Sequence, residues 1–464
     1  MMTPAQASLE ITPPSTRTRS QRRMATWSAY LGTLIEYYDF FLYSLLAVVA
    51  FAPLFFPNVG PLTGLLASFA TLATGYVARP LGAVAMSAIG DRIGRRVALL
   101  ISVAGMGIAS ILIGLLPPYA AIGVWAPTLL VILRFLQGLA AGGEYGGGVL
   151  MALEHANSNR RGIAAAAPQM GLYSGIILAN VALLLATLLP NDAFLAWGWR
   201  VPFLLTAVLM VITIWLRSKV DETPVFEQAK REHRLADRPV MGLFRTQWRT
   251  LLTVVAVAIV VTTISALNLS IVPMYSIRMG FSRSEALSLT LIGVCTGLVL
   301  VPTFAWLSDY VGRKRVALIG VILIPFSAWG AFSALGAHSY SWAVAGAVMP
   351  VIAHSVAYGP VSTWMAELFP TRFRYGGISV GFQIASLGAG VFPLIATALL
   401  TVAGGPPHFG WIVVYIALIA GISLIAISLA RETSTATFEE LDSEVTGPQI
   451  LAARSGPGTP RRNI

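Results

Sequence analysis

The sequence predicts an all-α polytopic membrane protein whose twelve transmembrane helices form two pseudo-symmetric six-helix bundles. Three observations predict it. Of 464 residues, 56% are apolar and only 11% charged, against about 25% charged in an ordinary globular domain. Apolar runs recur from about residue 25 to about residue 430, most of them long enough to cross a hydrocarbon core as a helix. They are longer and more continuous than the roughly ten-residue alternating segments of a membrane β-barrel. Finally, short charged motifs repeat in the two halves of the chain at matching places. The 43 glycines, costly in soluble helices, suit membrane helices that pack closely.

Taken in order, the spans fall at about 26–52, 61–88, 97–116, 124–150, 163–189, 200–216, 250–276, 286–306, 315–336, 340–366, 375–401 and 409–430. Residues 1–24 are polar, lack a short apolar core with a cleavage site, and end in the cluster Arg17, Arg19, Arg22 and Arg23. They read as a disordered cytosolic tail and not as a signal peptide. With that end inside, the inward loops are DRIGRR (91–96), EHANSNRR (154–161), the segment 217–249, DYVGRKR (309–315) and LFPTRFR (368–374). The outward loops are nearly bare of Lys and Arg, with Arg200, Arg278 and Arg283 as exceptions. Basic residues collect at the cytosolic side of membrane proteins, so both termini are expected in the cytosol, with the protein in the inner (cytoplasmic) membrane. The formal charge of +11 follows from these loops and signals topology, not nucleic acid. The single Cys295 excludes an intrachain disulfide and reads as filler facing lipid or core.

The segment 217–249 breaks the apolar pattern and separates a bundle at 25–216 from a second at 250–430. Residues 431–464 mix acids with Gly, Pro and Arg, show no heptads, and read as a disordered tail without a coiled-coil partner helix. The repeat then ties the halves together. Asp91-Arg-Ile-Gly-Arg-Arg96 recurs as Asp309-Tyr-Val-Gly-Arg-Lys314, each after the second helix of its half. Glu154, followed by Arg160 and Arg161, recurs as Glu367, followed by Arg372 and Arg374, after each fourth helix. Parallel six-helix repeats are an architecture for alternating access, in which two halves rock about a central site.

The stretches IEYYDFFLY (35–43), YVARPLGA (76–83), IGDRIGRR (89–96), RFLQGLAAGGEYGG (134–147), DETPVFEQ (221–228) and AELFPTRFRYGG (366–377) occur across both halves. Together they resemble the major facilitator superfamily. Within it they look like the metabolite:proton symporters, which include bacterial carriers for shikimate, 2-oxoglutarate, citrate, and proline or betaine. PQMG (168–171) and FLAWGWRVPF (194–203) are more similar to the shikimate type and to uncharacterised metabolite carriers. The long coiled-coil extension of the osmosensing proline/betaine type has no counterpart here. The resemblance implies a major facilitator fold and specifies a family, not a substrate.

Glu36 and Asp39 sit three residues apart near the middle of the first span, hence on one helix face. Facing lipid there, each would cost about 2.5–3.5 kcal/mol or more, so both are expected to face a cavity or a protein interface. They are the proton-coupling candidates, Asp39 ahead of Glu36. The plainer reading is that they pair with Arg79 or Arg134 and fix helices together. Those two arginines lie inside the second and fourth spans. They keep their charge, and their planar fork suits a carboxylate. Resemblance to 2-oxoglutarate-type carriers implies that Arg79 meets a substrate carboxylate. Tyr37, Tyr38 and Tyr43 supply hydroxyls and aromatic walls, and Gln169 and Tyr173 join them from the fifth span. Second-half candidates are neutral: Ser265, Asn268, Tyr275, His354, Ser355, Tyr358 and Gln383. His354 fits either a proton carrier or a hydrogen-bonded link between helices. The first half is therefore expected to carry the coupling charge, the second the hydrogen bonds and shape.

Asp91, Arg92, Arg95 and Arg96 form a charged turn, and the resemblance implies that such turns latch the outward-open state. Asp309, Arg313, Lys314 and Arg315 form its repeat, with Tyr310 where the first copy has Arg92, so the two latches are not equivalent. Glu144, Glu154, Glu367, Arg372 and Arg374 belong to the same gate network. A Walker loop and a Cys/His metal cluster are both absent from the sequence, so no cofactor and no enzyme activity are expected. The expected partners are a small carboxylate substrate, protons and membrane lipids, with a single copy sufficient for function. The function read from this is a proton-coupled symporter importing a small organic acid by alternating access. The alternatives are a proton-independent uniporter or exporter, and a non-transporting sensor, for which a signalling domain is missing.

Overall fold

A computed structural model describes residues 19–153, 161–219 and 239–435. It contains twelve apolar helical spans among the described residues. The first six are α1 (Thr26–Phe55), α2 (Pro61–Gly90), α3 (Arg96–Leu115), α4 (Trp125–Leu153), α5 (Arg161–Ala186) and α6 (Asn191–Ser218). The second six are α7 (Trp248–Arg278), α8 (Arg283–Val311), α9 (Arg313–Leu335), α10 (Tyr340–Leu368), α11 (Phe373–Val402) and α12 (Gly410–Leu429). Glu154 and most of the expected tails and central segment (1–18, 220–238 and 436–464) lie outside the described residues, as do the side chains of Asp91, Arg92, Arg95 and Arg372.

Several helices run past the apolar limits read from the sequence. The helix containing α1 begins at Arg19, and α6 continues through Arg217 to Ser218. Hydropathy stops at the first charge, but backbone hydrogen bonding does not. Two backbone features repeat. Gly94 (φ 122°) and Gly312 (φ 109°) separate α2 from α3 and α8 from α9, a conformation that only glycine adopts without strain. One π-helical turn interrupts α1 at Ala47–Phe51 and another interrupts α7 at Leu267–Ile271.

Lipid-facing and protein-facing surfaces separate cleanly. On α12, Trp411, Val414, Leu418, Ile422, Ile425 and Leu429 are exposed, whereas Ile412, Ile416, Ala420, Ser423 and Ile427 are buried. Spacings of three and four put each set on one face, and the exposed face is the apolar one, as lipid requires. Close packing governs α2 against α4: an added Cβ at Gly138 or Gly142 would collide with the backbone of Gly75 or of Gly82 and Ala83. The halves meet along two seams, α5 on α8 and α2 on α11. Cys295 on α8 is exposed at the surface.

Candidate functional site

The polar centre is built outward from α1, the most buried of the spans. A carboxylate inside such a helix must find a partner. Glu36 finds Arg79 of α2, with Oε1 2.8 Å from Nη2. Arg79 also reaches across the seam, donating from Nη1 to Gln383 Oε1 of α11 at 3.4 Å. Its guanidinium lies 3.7 Å from the Phe40 ring centroid and 5.0 Å from that of Tyr76, favourable ground for a desolvated cation. Beside this pair is a cavity of about 30 Å³, lined among others by Tyr37, Tyr76, Arg79, Ser265, Tyr358 and Ser386. It has room for roughly two waters, and side chains of the two halves bond across the centre beside it.

Asp39 points elsewhere. Three residues turn a helix by 300°, so two such side chains stand about 60° apart, and here that angle sends them to different neighbours. Asp39 Oδ1 accepts from Thr206 of α6 at 2.6 Å, and the Ser110 hydroxyl of α3 adds a further contact. Ser110 in turn accepts from Gln137 Nε2 at 2.5 Å, and Gln137 Oε1 accepts from Arg134. The Arg134 guanidinium lies 4.3 Å from the Phe40 centroid and 3.9 Å from that of Tyr43. A buried polar chain thus runs Arg134–Gln137–Ser110–Asp39–Thr206 through the first half. Both acids lie on the buried side of α1, as spacing predicts, but they stand in two different settings.

A third cluster joins the halves. Tyr173 and His354 Nδ1 are 2.7 Å apart, and Ser265 Oγ and His354 Nε2 2.9 Å, so both ring nitrogens are engaged. Gln169 donates to Ser362 Oγ (2.6 Å) and to the Tyr358 carbonyl (3.2 Å), and Ser362 also meets Tyr145 at 2.6 Å. Nine predicted substrate residues stand outside the cavity lining: Arg134, Gln169, Tyr173, His354 and Gln383, whose contacts are given above, and four more. Tyr38 donates to the Pro202 carbonyl at 2.6 Å, Tyr43 bonds Thr71, Asn268 lies in the π-turn of α7, and Tyr275 packs edge-on to Phe332. Ser355 donates to the Val351 carbonyl and also meets the Tyr173 hydroxyl. Of the predicted set, Tyr37, Arg79, Ser265 and Tyr358 line the cavity.

At the end bearing the charged turns, Asp309 Oδ1 pairs with Arg313 at 2.6 Å and accepts from the Gly162 amide of the other half at 3.0 Å. Glu367 lies 3.5 Å from Arg313 and 3.8 Å from Arg161, again across the seam. Arg374 donates to the Ala366 carbonyl at 3.0 Å, Arg96 bonds the Ser218 carbonyl, and Arg315 is exposed. Glu144 departs from its expected place in the gate: it is buried and paired with Arg217, inside the first half. Gly32 makes room for that pair, since an added Cβ would collide with the guanidinium. At the opposite end the halves also touch, through Ser44–Ser270 at 2.5 Å and Arg283–Asn191 at 2.9 Å.

The expected tail is corrected at its start. Glu432 Oε1 and Oε2 each accept, at 3.0 Å, from the backbone amides of Arg313 and Lys314 at the first turn of α9. Such a turn presents free N–H groups and the positive dipole end. Thr433 donates to Glu367 Oε2 at 2.6 Å, and Lys314 Nζ bonds the Ser428 and Ala430 carbonyls. Burial pushes the Glu432 carboxyl up, but amides of Ser434, Lys314, Thr433 and Arg313 outweigh it and hold the group below its usual 4.5. Sequence reasoning missed Arg217, Thr206, Ser110, Gln137, Ser362 and Glu432. Only Arg217 had a usable signal, since a buried Glu144 requires a cation nearby.

Residues 25–241 match a family model described as sugar (and other) transporter, and residues 290–455 one described as Major Facilitator Superfamily. The chain is 37% identical over 420 residues to the shikimate transporter of Escherichia coli, covering 88% of this chain and 94% of that one. It is 36% identical over 426 residues to an inner membrane metabolite transport protein of the same organism, covering 89% and 95%. It is 32% identical over 418 residues to a proline/betaine transporter of Salmonella typhimurium, covering 87% and 83%. Among solved structures, the proton:xylose symporter XylE with a bound bromo-deoxyglucose superposes with a TM-score of 0.72 at 19% identity, covering 92% of this chain and 99% of that one. At that identity the likeness carries the fold.

Proposed function

This chain belongs to the major facilitator superfamily, among its metabolite:proton symporters, and transports a small organic metabolite; we propose that it imports an organic acid together with a proton by alternating access. One observation carries this reading: α1 holds two buried carboxylates in different settings, Glu36 on Arg79 beside the central cavity and Asp39 among hydroxyls behind it. The Arg79 fork is the anchor for a substrate carboxylate, which on arrival takes the place of Glu36. Gln383, already bonded to Arg79 from the second half, closes the second half on the same group.

Asp39 is the proton site. A proton there breaks no ion pair, because its partner is the Thr206 hydroxyl, while Arg134 keeps Gln137 and two aromatic faces in either state. A proton on Glu36 before substrate arrives would instead strand Arg79. The charged turns mark the cytosolic end, by their excess of Lys and Arg, and both termini then lie inside. The contacts of Asp309, Glu367 and Arg161 hold that end shut until loading, and a single copy completes the site. A proton entering with an anion cancels its charge and draws on the pH gradient.

The test is uptake into proteoliposomes of a panel of labelled carboxylic acids and zwitterions, with and without an inward proton gradient. Accumulation of an acid only with the gradient is the expected result. Uptake indifferent to the gradient would replace the symporter by a uniporter, and uptake of zwitterions alone would remove the carboxylate.

A further inference from the structure

We infer that the short helix Pro239–Thr246 and the start of α7 form a docking surface for anionic phospholipid headgroups, at the end bearing the charged turns. The helix rests on α2 and on the first turns of the helix Thr371–Ala385, one element from each half. Leu243 is its buried anchor, and Gly242 sits so close to Phe373 that an added Cβ would lie 3.0 Å from the ring. The other face is apolar and open: Met241, Phe244, Trp248 and Leu252 are each 42–58% exposed. Met241 and Phe244 lie three apart on the short helix, and Trp248 and Leu252 four apart at the start of α7, on either side of a break in the helix at Gln247.

Two exposed cations edge these residues, Arg245 and Arg249, with the Arg249 guanidinium 5.3 Å from the Trp248 ring centroid. The end of α6 repeats the arrangement, with Lys219 Nζ 3.8 Å from the exposed Trp215 ring. Acids are absent from residues 239–252. Tryptophan with an apolar face and a cationic edge is the composition of a segment lying in the bilayer interface. The cations then meet headgroup phosphates, and negative lipids are favoured over zwitterionic ones by roughly fivefold per basic residue. The apolar side chains select a lipid over a soluble anion.

The test compares wild type, R245Q/R249Q and R278Q, which removes an exposed cation at the opposite end. Each is purified in a neutral detergent and titrated with phosphatidylglycerol or phosphatidylcholine. Retained lipid is counted by native mass spectrometry, and unfolding is followed by tryptophan fluorescence. Wild type and R278Q are expected to hold and be stabilised by phosphatidylglycerol over phosphatidylcholine, with that preference reduced roughly 25-fold in R245Q/R249Q and equal unfolding of all three in phosphatidylcholine. An undiminished preference in R245Q/R249Q, or an equal loss in R278Q, would overturn the assignment. A dimer that R245Q/R249Q dissociates would also overturn it and give this face to a second copy. These readouts do not involve transport.

Discussion

Replacing Glu36 by Gln removes one charge from the centre and leaves Arg79, almost fully buried, with a 3.4 Å bond to Gln383 and two aromatic faces. Both of those are present in the wild type, so neither offsets the loss. Stranding one member of a buried ion pair costs about 3–5 kcal/mol of stability. Binding should move the other way. In the wild type an incoming carboxylate must displace Glu36 from Arg79, giving up a charge-assisted bond of about 1.5–3 kcal/mol. In Glu36→Gln that bond is already gone, so the acid identified by uptake should bind roughly 10- to 150-fold more tightly. Equilibrium binding of the labelled acid to purified protein measures it. The double variant Glu36→Gln/Arg79→Gln should regain stability, because both charges are removed, and lose the gain in affinity. A folded Glu36→Gln protein that binds the acid no better than wild type would refute the displacement argument.

Glu144→Gln should cost about 3–5 kcal/mol by stranding Arg217, and Glu144→Leu/Arg217→Leu should recover most of it. Thermal unfolding decides, and a Glu144→Gln protein as stable as wild type would deny the pair its structural role. Tyr173→Phe leaves a buried His354 nitrogen unpaired across the seam, a cost of about 1–3 kcal/mol to the closed state. In a Cys295→Ala background, thiol labelling of Ser386→Cys in the cavity should speed up at least about fivefold; unchanged labelling would contradict it. Glu432 has its carboxyl held below 4.5 in the folded protein, so its contribution is present above that value and is lost as pH falls through the lower folded one. The stability gap between wild type and Glu432→Gln should therefore shrink on acidification, and a gap that widens would reverse the sign.

The membrane spans were legible because each must be apolar over about 20 residues, and the repeat because its turns need Gly94 and Gly312 at positive φ. The buried acids and arginines were legible because charge inside such spans is costly wherever it faces lipid. Their partners were less so. Spacing places Glu36 and Asp39 near one another, but the 60° between them is resolved only by which helices stand on either side. Thr206, Ser110 and Gln137 are ordinary polar residues within spans, and nothing in their local sequence marks them as links between Asp39 and Arg134. Arg217 was hidden by the rule that ends a span at its first charge. Glu432 was hidden because a polar, acidic stretch reads as tail until a free helix N-terminus is seen beside it.

Substrate-driven proton movement tests the central claim most directly. Liposomes loaded with a pH-sensitive dye are given the transported acid, with protein-free liposomes correcting for passive entry of the undissociated form. Wild type should acidify the lumen as substrate enters, and Asp39→Asn should exchange labelled for unlabelled substrate without acidification or accumulation. Acidification by Asp39→Asn at the wild-type rate, or wild-type uptake with no acidification, would contradict the account.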